Sequence, residues 1–280
     1  MGSTASNTTN LDTAEPILLN SLVDNILRLT LNRPRFGNCL SLALMKTLTE
    51  GITAAGNNSA VKVIIISANG PLFCSGHDLK EMTGRRNDAD KGREFFEETF
   101  GVCQIMLKAI RDCSQPVIAE IQGPALAAGA QLVATCDLAI ASENAQFCLP
   151  GVNIGLFCST PMVAVSRNVS HKHTMEMLLT GEMISAQHAC EIGLINRAVP
   201  PADLPFETQK LAGKIATKSQ TSIHIGKHAF YEQSQMSLDD AYEYTSRVMV
   251  ENMLIASAKE GIGAFLEKRE PEWPDEGSEN

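Results

Sequence analysis

The sequence predicts an α/β fold that passes into a helical C-terminal region, and three observations carry that prediction. Short β-branched and aliphatic runs recur between amphipathic helical patterns through about Val199. Beyond the segment "GLINRAVPPADLP" the helical pattern is almost unbroken. Of 280 residues, 44% are hydrophobic, enough for one large domain or a domain with an appendage.

The first pattern is a hairpin. "ILLNSLV" and "ILRLTLN" are predicted strands, the second alternating Ile26, Arg28 and Thr30 against Leu27, Leu29 and Leu31, and the "DN" between them suits a tight turn. Ser41 can cap a helix whose Leu42, Met45, Leu48 and Ile52 share one face and which stops at Gly56-Asn57-Asn58. "VKVIIIS" is a buried strand. A long helix is predicted from Gly92 to Arg111, with Phe96, Phe100, Cys103, Leu107 and Ile110 facing a core. "PVIAEI" and "DLAIAS" are further strands, set off by Gly, Pro and Asn signals. Helices follow over Leu204 to Ser219, Ser222 to Glu232, Ser237 to Ser257 and Glu260 to Arg269, with Ser237 as an N-cap. The expected organisation is a flexible tail over residues 1–14, a core over 15–202, a helical region over 203–270 and a loose tail over 271–280.

Twenty-three basic residues stand against 32 acidic ones, a net charge of −9, which argues against a general nucleic-acid surface or anionic membrane face. Eight cysteines lie in apolar or mixed segments with no Cys-x-x-Cys, the usage of buried thiols in a reducing compartment. No run of about 18 apolar residues is present, so no membrane span is expected. The start "MGSTASNTTN" has neither the Arg-rich character of a transit peptide nor the apolar core of a secretion signal. It fits the short N-myristoylation pattern through Gly2 and Ser6, but a low-complexity tail is the simpler reading.

Two segments share one design. "VKVIIISANGPLFCSGHDL" and "PVIAEIQGPALAAGAQLV" each run from a buried strand through a loop of small residues into a predicted helix. Each is expected to deliver unpaired backbone N–H groups at a helix start. One such loop is ordinary turn punctuation; two suggest a pair of donors converging on one oxygen, an oxyanion hole.

These segments carry a family resemblance. "FCSGHDL" resembles the F-x-[AS]-G-x-D-[LI] signature of the crotonase (enoyl-CoA hydratase/isomerase) superfamily, and "QGPALAAGAQLVATCDLAIAS" resembles its second signature. "NRPRFGNCLS" stands at the family's Asn-Ala-Leu segment, and "EGIGAFLEKREPEW" resembles its C-terminal signature, so the likeness covers about residues 15–273. It implies a ClpP/crotonase-type spiral of repeated strand-strand-helix units with a C-terminal helical trimerisation region. It also implies a CoA thioester, acyl-CoA or enoyl-CoA, as substrate or ligand, with no other cofactor. The thioester oxygen is expected on the backbone amides of His77 and Ala128. Charge develops on that oxygen as an enolate forms, so the amides favour the transition state over the ground state. The imidazole of His77 has two readings, a spectator or an acid/base group. The resemblance further implies a homotrimer or a dimer of trimers and a mitochondrial setting; without it, the chain reads as cytoplasmic.

The hydratases of this family use two glutamates, and both are replaced. Gln131 stands three residues after the second amide, and Gly151 in "QFCLPGVNIG" stands where the family has Pro-Glu. An amide orients water but neither takes nor gives a proton near neutral pH. A positioned acid or base contributes about 10²–10⁴ in rate, so ordinary hydratase turnover is not expected. Asp78, Asp137, Glu120 and Glu143 are the nearest acids in sequence, each with a structural reading. Gly151 also resembles the dihydroxynaphthoyl-CoA synthases, which recruit bicarbonate as base; Asn153, Ser159 and Thr160 would line such an anion site or simply cap a helix starting at Pro161. Cys148 and Cys158 flank this segment and read as packing.

The family's CoA region falls on Arg33, Arg35, Ser75, Gly76, Asp78, Leu79, Gly129, Lys227, Phe265, Lys268 and Arg269, the last two lysine and arginine positions from a neighbouring subunit; solvated surface charge is the alternative for the basic residues, and core packing for Phe265. His171-x-His173 and His224-x₃-His228 lack a carboxylate or cysteine at ligand spacing, so no metal is expected.

Overall fold

In the computed structural model, which describes residues 15–274, the chain opens with a tight hairpin. β1 (Leu18–Val23) pairs antiparallel with β2 (Ile26–Leu31), and Asp24 and Asn25 take φ of 50° and 62°. Two consecutive left-handed residues match the twist of the flanking strands, and Asp and Asn tolerate that conformation best after glycine. Ser41 accepts from the Leu44 amide and starts α1 (Leu42–Gly56), which buries Met45, Leu48 and Ile52.

The chain then alternates. β3 (Val63–Ala68) leads to the short α2 (Leu79–Gly84) and the long α3 (Arg93–Asp112); β4 (Val117–Ile121) and β5 (Ala125–Leu126) lead to α4 (Ala128–Thr135). β6 (Leu138–Ser142), β7 (Gln146–Cys148), α5 (Pro161–Val165), α6 (His171–Thr180), β8 (Ile184–Ser185), α7 (Ala186–Glu191) and β9 (Arg197–Val199) complete this part. One sheet runs β1-β2-β3-β4-β6-β9, parallel from β2 onward, and β5-β7-β8 form a second, smaller sheet. β3 and β4 are buried along most or all of their length, as parallel strands covered on both faces require.

Helix α8 (Leu204–Ala216) lies against the large sheet, where Ala212 packs with Ile26, Val63, Ile65 and Ile118. The compositional change near residue 203 therefore begins with a helix that covers the strands. α9 (Gln220–Gln233), α10 (Leu238–Leu254) and α11 (Ala256–Glu267) follow. The break between the last two falls at Ile255, whose extended backbone caps both, so α11 starts four residues earlier than the pattern predicts.

Two expectations need correction. Along α3 the buried residues are Thr99, Cys103, Met106 and Ile110, while Phe96 is half-buried and Phe100 is 41% exposed. Thr99 fits the core face because its hydroxyl donates to the Phe95 carbonyl and so carries no unmet polar group inward. The tail expected over 271–280 is anchored where it begins: Trp273 donates to the Thr217 carbonyl at 2.8 Å, and the Glu272 amide donates to Glu260 at 2.7 Å. Residues 1–14 and 275–280 lie outside the described residues, and with them the N-terminal tail expectations.

Candidate functional site

The two small-residue loops run side by side. Cys74 forms a parallel bridge with Ala125, its amide donating to the Pro124 carbonyl and its carbonyl accepting from the Leu126 amide. Three residues on, His77 forms a second parallel bridge, to Leu40, made by the Gly76 carbonyl and the Asp78 amide. Because those two groups face Leu40, the His77 N–H between them points away from it. Ala128 is the first residue of α4, so its N–H has no carbonyl within the helix.

Backbone contact fixes the spacing of these amides. Gly76, at φ 93°, lies so close to the second loop that a Cβ on it would meet Ala127 Cβ at 3.1 Å and the Leu126 carbonyl at 3.2 Å. A Cβ on Gly129 would fall 2.2 Å from the Cys74 carbonyl oxygen. Ala127 holds φ 49° and ψ −116°, a conformation that costs a non-glycine residue of order 1–3 kcal/mol. That turn lets Ala127 donate to the Cys148 carbonyl while its own carbonyl accepts from Gln131, closing the first turn of α4.

A polar brace holds the first loop. Arg33 donates to the Cys39 carbonyl at 2.8 Å and pairs with Asp78 at 3.2 Å; Asp78 also accepts from the Glu81 amide, capping α2, and from the Cys39 thiol. Burial opposes ionisation of Asp78, but the hydrogen bonds from Cys39, Glu81 and Arg33 outweigh it and hold its pKa below the ordinary value. Asn38, fully buried, accepts from the Arg33 amide and donates to the Asn69 and Leu72 carbonyls. Asn38 and Cys39 lie within the "NRPRFGNCLS" segment, whose spacing alone does not assign them this bracing role.

Gln131 is 5% exposed and donates to the Thr160 carbonyl at 2.9 Å, so it ties α4 to the residues before α5. Its Oε1 is buried with no hydrogen-bond partner among the described residues. Gly151 is covered by the same segment: a Cβ there would meet Cys158 Sγ at 3.0 Å, the Cys158 nitrogen at 3.1 Å and the Leu156 carbonyl at 3.2 Å. Burial raises the Cys158 thiol pKa, with the Gly151 backbone working against it, and pushes Cys148 up to about 11. Both sulfurs therefore stay protonated and weakly nucleophilic.

The His77 ring packs edge-to-face on Phe100, centroids 5.3 Å apart, and both its nitrogens are buried without a hydrogen bond. Burial lowers its pKa, opposed by the nearby Leu40 carbonyl, so the neutral imidazole is favoured. Phe100 joins the site through α3, at a position that helical spacing had assigned to the core.

The sequence model of the family described as enoyl-CoA hydratase/isomerase matches residues 22–276. This chain belongs to that family. It is 47% identical over 254 residues to "Enoyl-CoA hydratase domain-containing protein 3, mitochondrial" of Homo sapiens, covering 91% of this chain and 82% of that protein. It is 32% identical to the 2,3-dehydroadipyl-CoA hydratase of Escherichia coli (strain K12), over 91% of this chain and 98% of the other. The crystal structure of an enoyl-CoA hydratase from Mycobacterium smegmatis superposes with a TM-score of 0.88 at 44% identity, over 92% of this chain and 99% of that one. The fold is thus the crotonase fold that the signatures imply.

Within this member of the enoyl-CoA hydratase/isomerase family, several residues expected in the CoA region have partners in the fold. The Lys227 side chain is 8% exposed, pairs with Asp137 at 2.7 Å and donates to the Ile110 and Gln115 carbonyls. Arg33 and Asp78 pair in the brace, Gly129 lies close against the Cys74 carbonyl, and Arg269 pairs with Glu260 and Glu267. Ser75 is half-buried and its amide donates to the Gly37 carbonyl; Arg35, Leu79 and Lys268 are exposed, and Phe265 is 81% exposed on α11.

The alternative acids are also engaged or remote. Glu120 pairs with Arg28 inside the sheet, Asp137 accepts from Lys227, Tyr231 and the Val117 amide, and Glu143 is exposed. Of the expected anion-site residues, Asn153 donates to the Gly181 carbonyl, Ser159 is exposed with its hydroxyl turned to the Phe157 carbonyl, and Thr160 makes no side-chain cap. Among the described residues no three His, Cys, Asp or Glu side chains are grouped to hold a metal ion, and no helix is long and apolar enough to cross a membrane.

Proposed function

We propose that this chain binds the thioester of an acyl-CoA or enoyl-CoA through the backbone amides of His77 and Ala128, without the acid/base pair of a hydratase. One observation supports the reading: two loops locked by the Cys74–Ala125 bridge and the Gly129 contact, each ending in an N–H that no acceptor among the described residues takes up. Gln131 and Gly151 supply neither acid nor base, and Cys158 occupies the approach to position 151. The chemistry at such a site is enolate stabilisation that is weak or altered, or binding alone, in a fatty-acid-metabolism setting. Likeness to relatives whose names include "mitochondrial" supports that compartment. Exposed Leu238, Leu254, Phe265 and Leu266 on the C-terminal helices support a homotrimer or dimer of trimers.

The alternative is a genuine enoyl-CoA hydratase that uses an unidentified or exogenous base; the 32% likeness to a named hydratase favours it. One experiment separates the two. Acyl-CoAs should raise the melting temperature, while crotonyl-CoA should keep its enoyl absorbance. Turnover at ordinary hydratase rates would establish the alternative, and no thermal shift with CoA or any acyl-CoA would defeat both.

A further inference from the structure

Away from the paired loops, α6 and α7 close on a cavity of about 100 Å³, lined by His173, Glu176 and Met177 of α6 and by Glu182, His188 and Ile192 of the stretch that runs through β8 and α7. His173 and His188 are both half-buried, and their rings meet nearly at right angles with centroids 5.8 Å apart. On each ring Nδ1 is engaged by a residue outside the cavity lining. The His173 Nδ1 lies 3.3 Å from the Ser170 hydroxyl, and the His188 Nδ1 lies 3.4 Å from a Glu191 carboxylate oxygen. An ionised carboxylate only accepts, so His188 carries its proton on Nδ1 and leaves Nε2 bare; the Ser170 hydroxyl can accept from His173 in the same way. Neither Nε2 has a hydrogen-bond partner among the described residues.

An imidazole with one nitrogen braced by an oxygen and the other bare is the state in which histidine binds a metal. The spacing fits as well. With zinc about 2.0–2.1 Å from each nitrogen, a ring centroid sits about 3.2 Å from the ion, so two rings that share it have centroids about 5.2 Å apart at a tetrahedral angle and at most about 6.4 Å. His173 and His188, at 5.8 Å, fall inside that range, whereas His224 and His228, at 6.5 Å, fall outside it. Among the described residues no third His, Cys, Asp or Glu is grouped with the pair. The cavity instead has room for the waters that complete a coordination shell. Glu176 and Glu182, which line it and are exposed, give it a negative charge suited to a cation.

We propose that His173 and His188 form a two-histidine site for an imidazole-seeking divalent transition metal such as Zn²⁺, held by the two Nε2 atoms with water completing its shell. The site is separate from the thioester-binding reading and does not depend on it. Its role is structural, since an ion shared by the two rings fastens α6 to α7. The cap of α6 is Gly181, whose carbonyl accepts from Asn153 at 3.3 Å, and Asn153 belongs to the short helical turn that carries Gly151. A clamp on α6 therefore braces that turn too.

Calorimetric titration of the metal-stripped full chain with Zn²⁺ tests this directly, with Mg²⁺, which prefers oxygen ligands, as the ion that should not bind. Zn²⁺ should also raise the melting temperature. Affinity should fall at least about tenfold in His173→Gln and in His188→Gln, and by about 10–100-fold in Glu191→Leu, which removes only the brace on His188. It should keep its wild-type value in His224→Ala. Absence of Zn²⁺ binding by the wild type overturns the proposal, whether or not the variants fold. Wild-type affinity in a folded His173→Gln or His188→Gln does the same, and so does its loss in His224→Ala, which would move the ion to α9.

Discussion

Gln131 and Thr160 are joined by a hydrogen bond of 2.9 Å in which the side-chain amide donates to the backbone carbonyl. A carboxylate cannot make that bond. Gln131→Glu would set an acidic oxygen against a carbonyl oxygen in a nearly buried residue, and both burial and repulsion favour its protonated form. The folded pKa of the new glutamate then lies above its unfolded value of about 4.3. Unfolding releases a proton, so the variant loses stability relative to wild type as pH rises above that value. Urea denaturation should show a deficit on the order of 1–3 kcal/mol at pH 8 and a smaller one at pH 5; equal deficits would mean that the carboxylate has found a donor.

Position 151 resists an acid for a different reason. The Cys158 thiol could turn aside, but the Cys158 nitrogen and Leu156 carbonyl move only with their loop. Gly151→Glu should destabilise by about 1–3 kcal/mol, and adding Cys158→Ala should recover only part of this. With Gln131→Glu also present, crotonyl-CoA hydration should gain far less than the roughly 10²–10⁴ that a placed acid or base contributes. A gain of that size without Cys158→Ala would show that the loop yields easily.

Two glycines make a controlled pair. Gly129→Ala drives a methyl into the Cys74 carbonyl and should lower stability by at least about 2–3 kcal/mol. Gly101, inside α3, has nothing within 4 Å of an added Cβ, and Gly101→Ala should stabilise by about 0.5–1 kcal/mol. Melting temperatures moving in the same direction for both would defeat the contact argument.

Lys227 separates a packing role from a ligand role. Lys227→Met strips the partner from Asp137 in a buried pair and should cost about 3–5 kcal/mol. The folded fraction should bind CoA with wild-type affinity. A large loss of affinity at unchanged stability would return Lys227 to the phosphates.

For His77 the pH dependence has a definite sign. Burial holds its folded pKa below 6.5, so the unfolded chain takes up the proton first. The stability that this neutral imidazole contributes is present above pH 6.5 and is lost as pH falls through the folded value. His77→Phe should flatten the stability profile between pH 7 and 5, and an unchanged slope would assign the titration elsewhere.

Much of this arrangement was legible in the sequence because it rests on backbone grammar. The Asp24-Asn25 turn, the Ser41 and Ser237 caps and the buried runs of β3 and β4 follow from local steric and hydrogen-bonding rules. The paired loops were legible for the same reason, since only small residues permit such approach. What stayed hidden depends on which side chain reaches which partner across the fold. Lys227 and Asp137 are far apart in sequence, and Gly151 meets Cys158 across a loop, so no periodicity reports either meeting. Phe100 was misread because helical phase distinguishes an inward face from a neighbouring one only to within a residue, and Thr99 took the inward place.

The bridge between Cys74 and Ala125 is made entirely of main-chain atoms. A grip built that way is indifferent to most of the side chains around it. On the proposed reading, substitutions at positions 131 and 151 change the fate of a bound thioester carbonyl while the backbone amides that hold it persist. Recognition and reaction are separately inheritable in this architecture, and a lineage can keep the first long after it has abandoned the second.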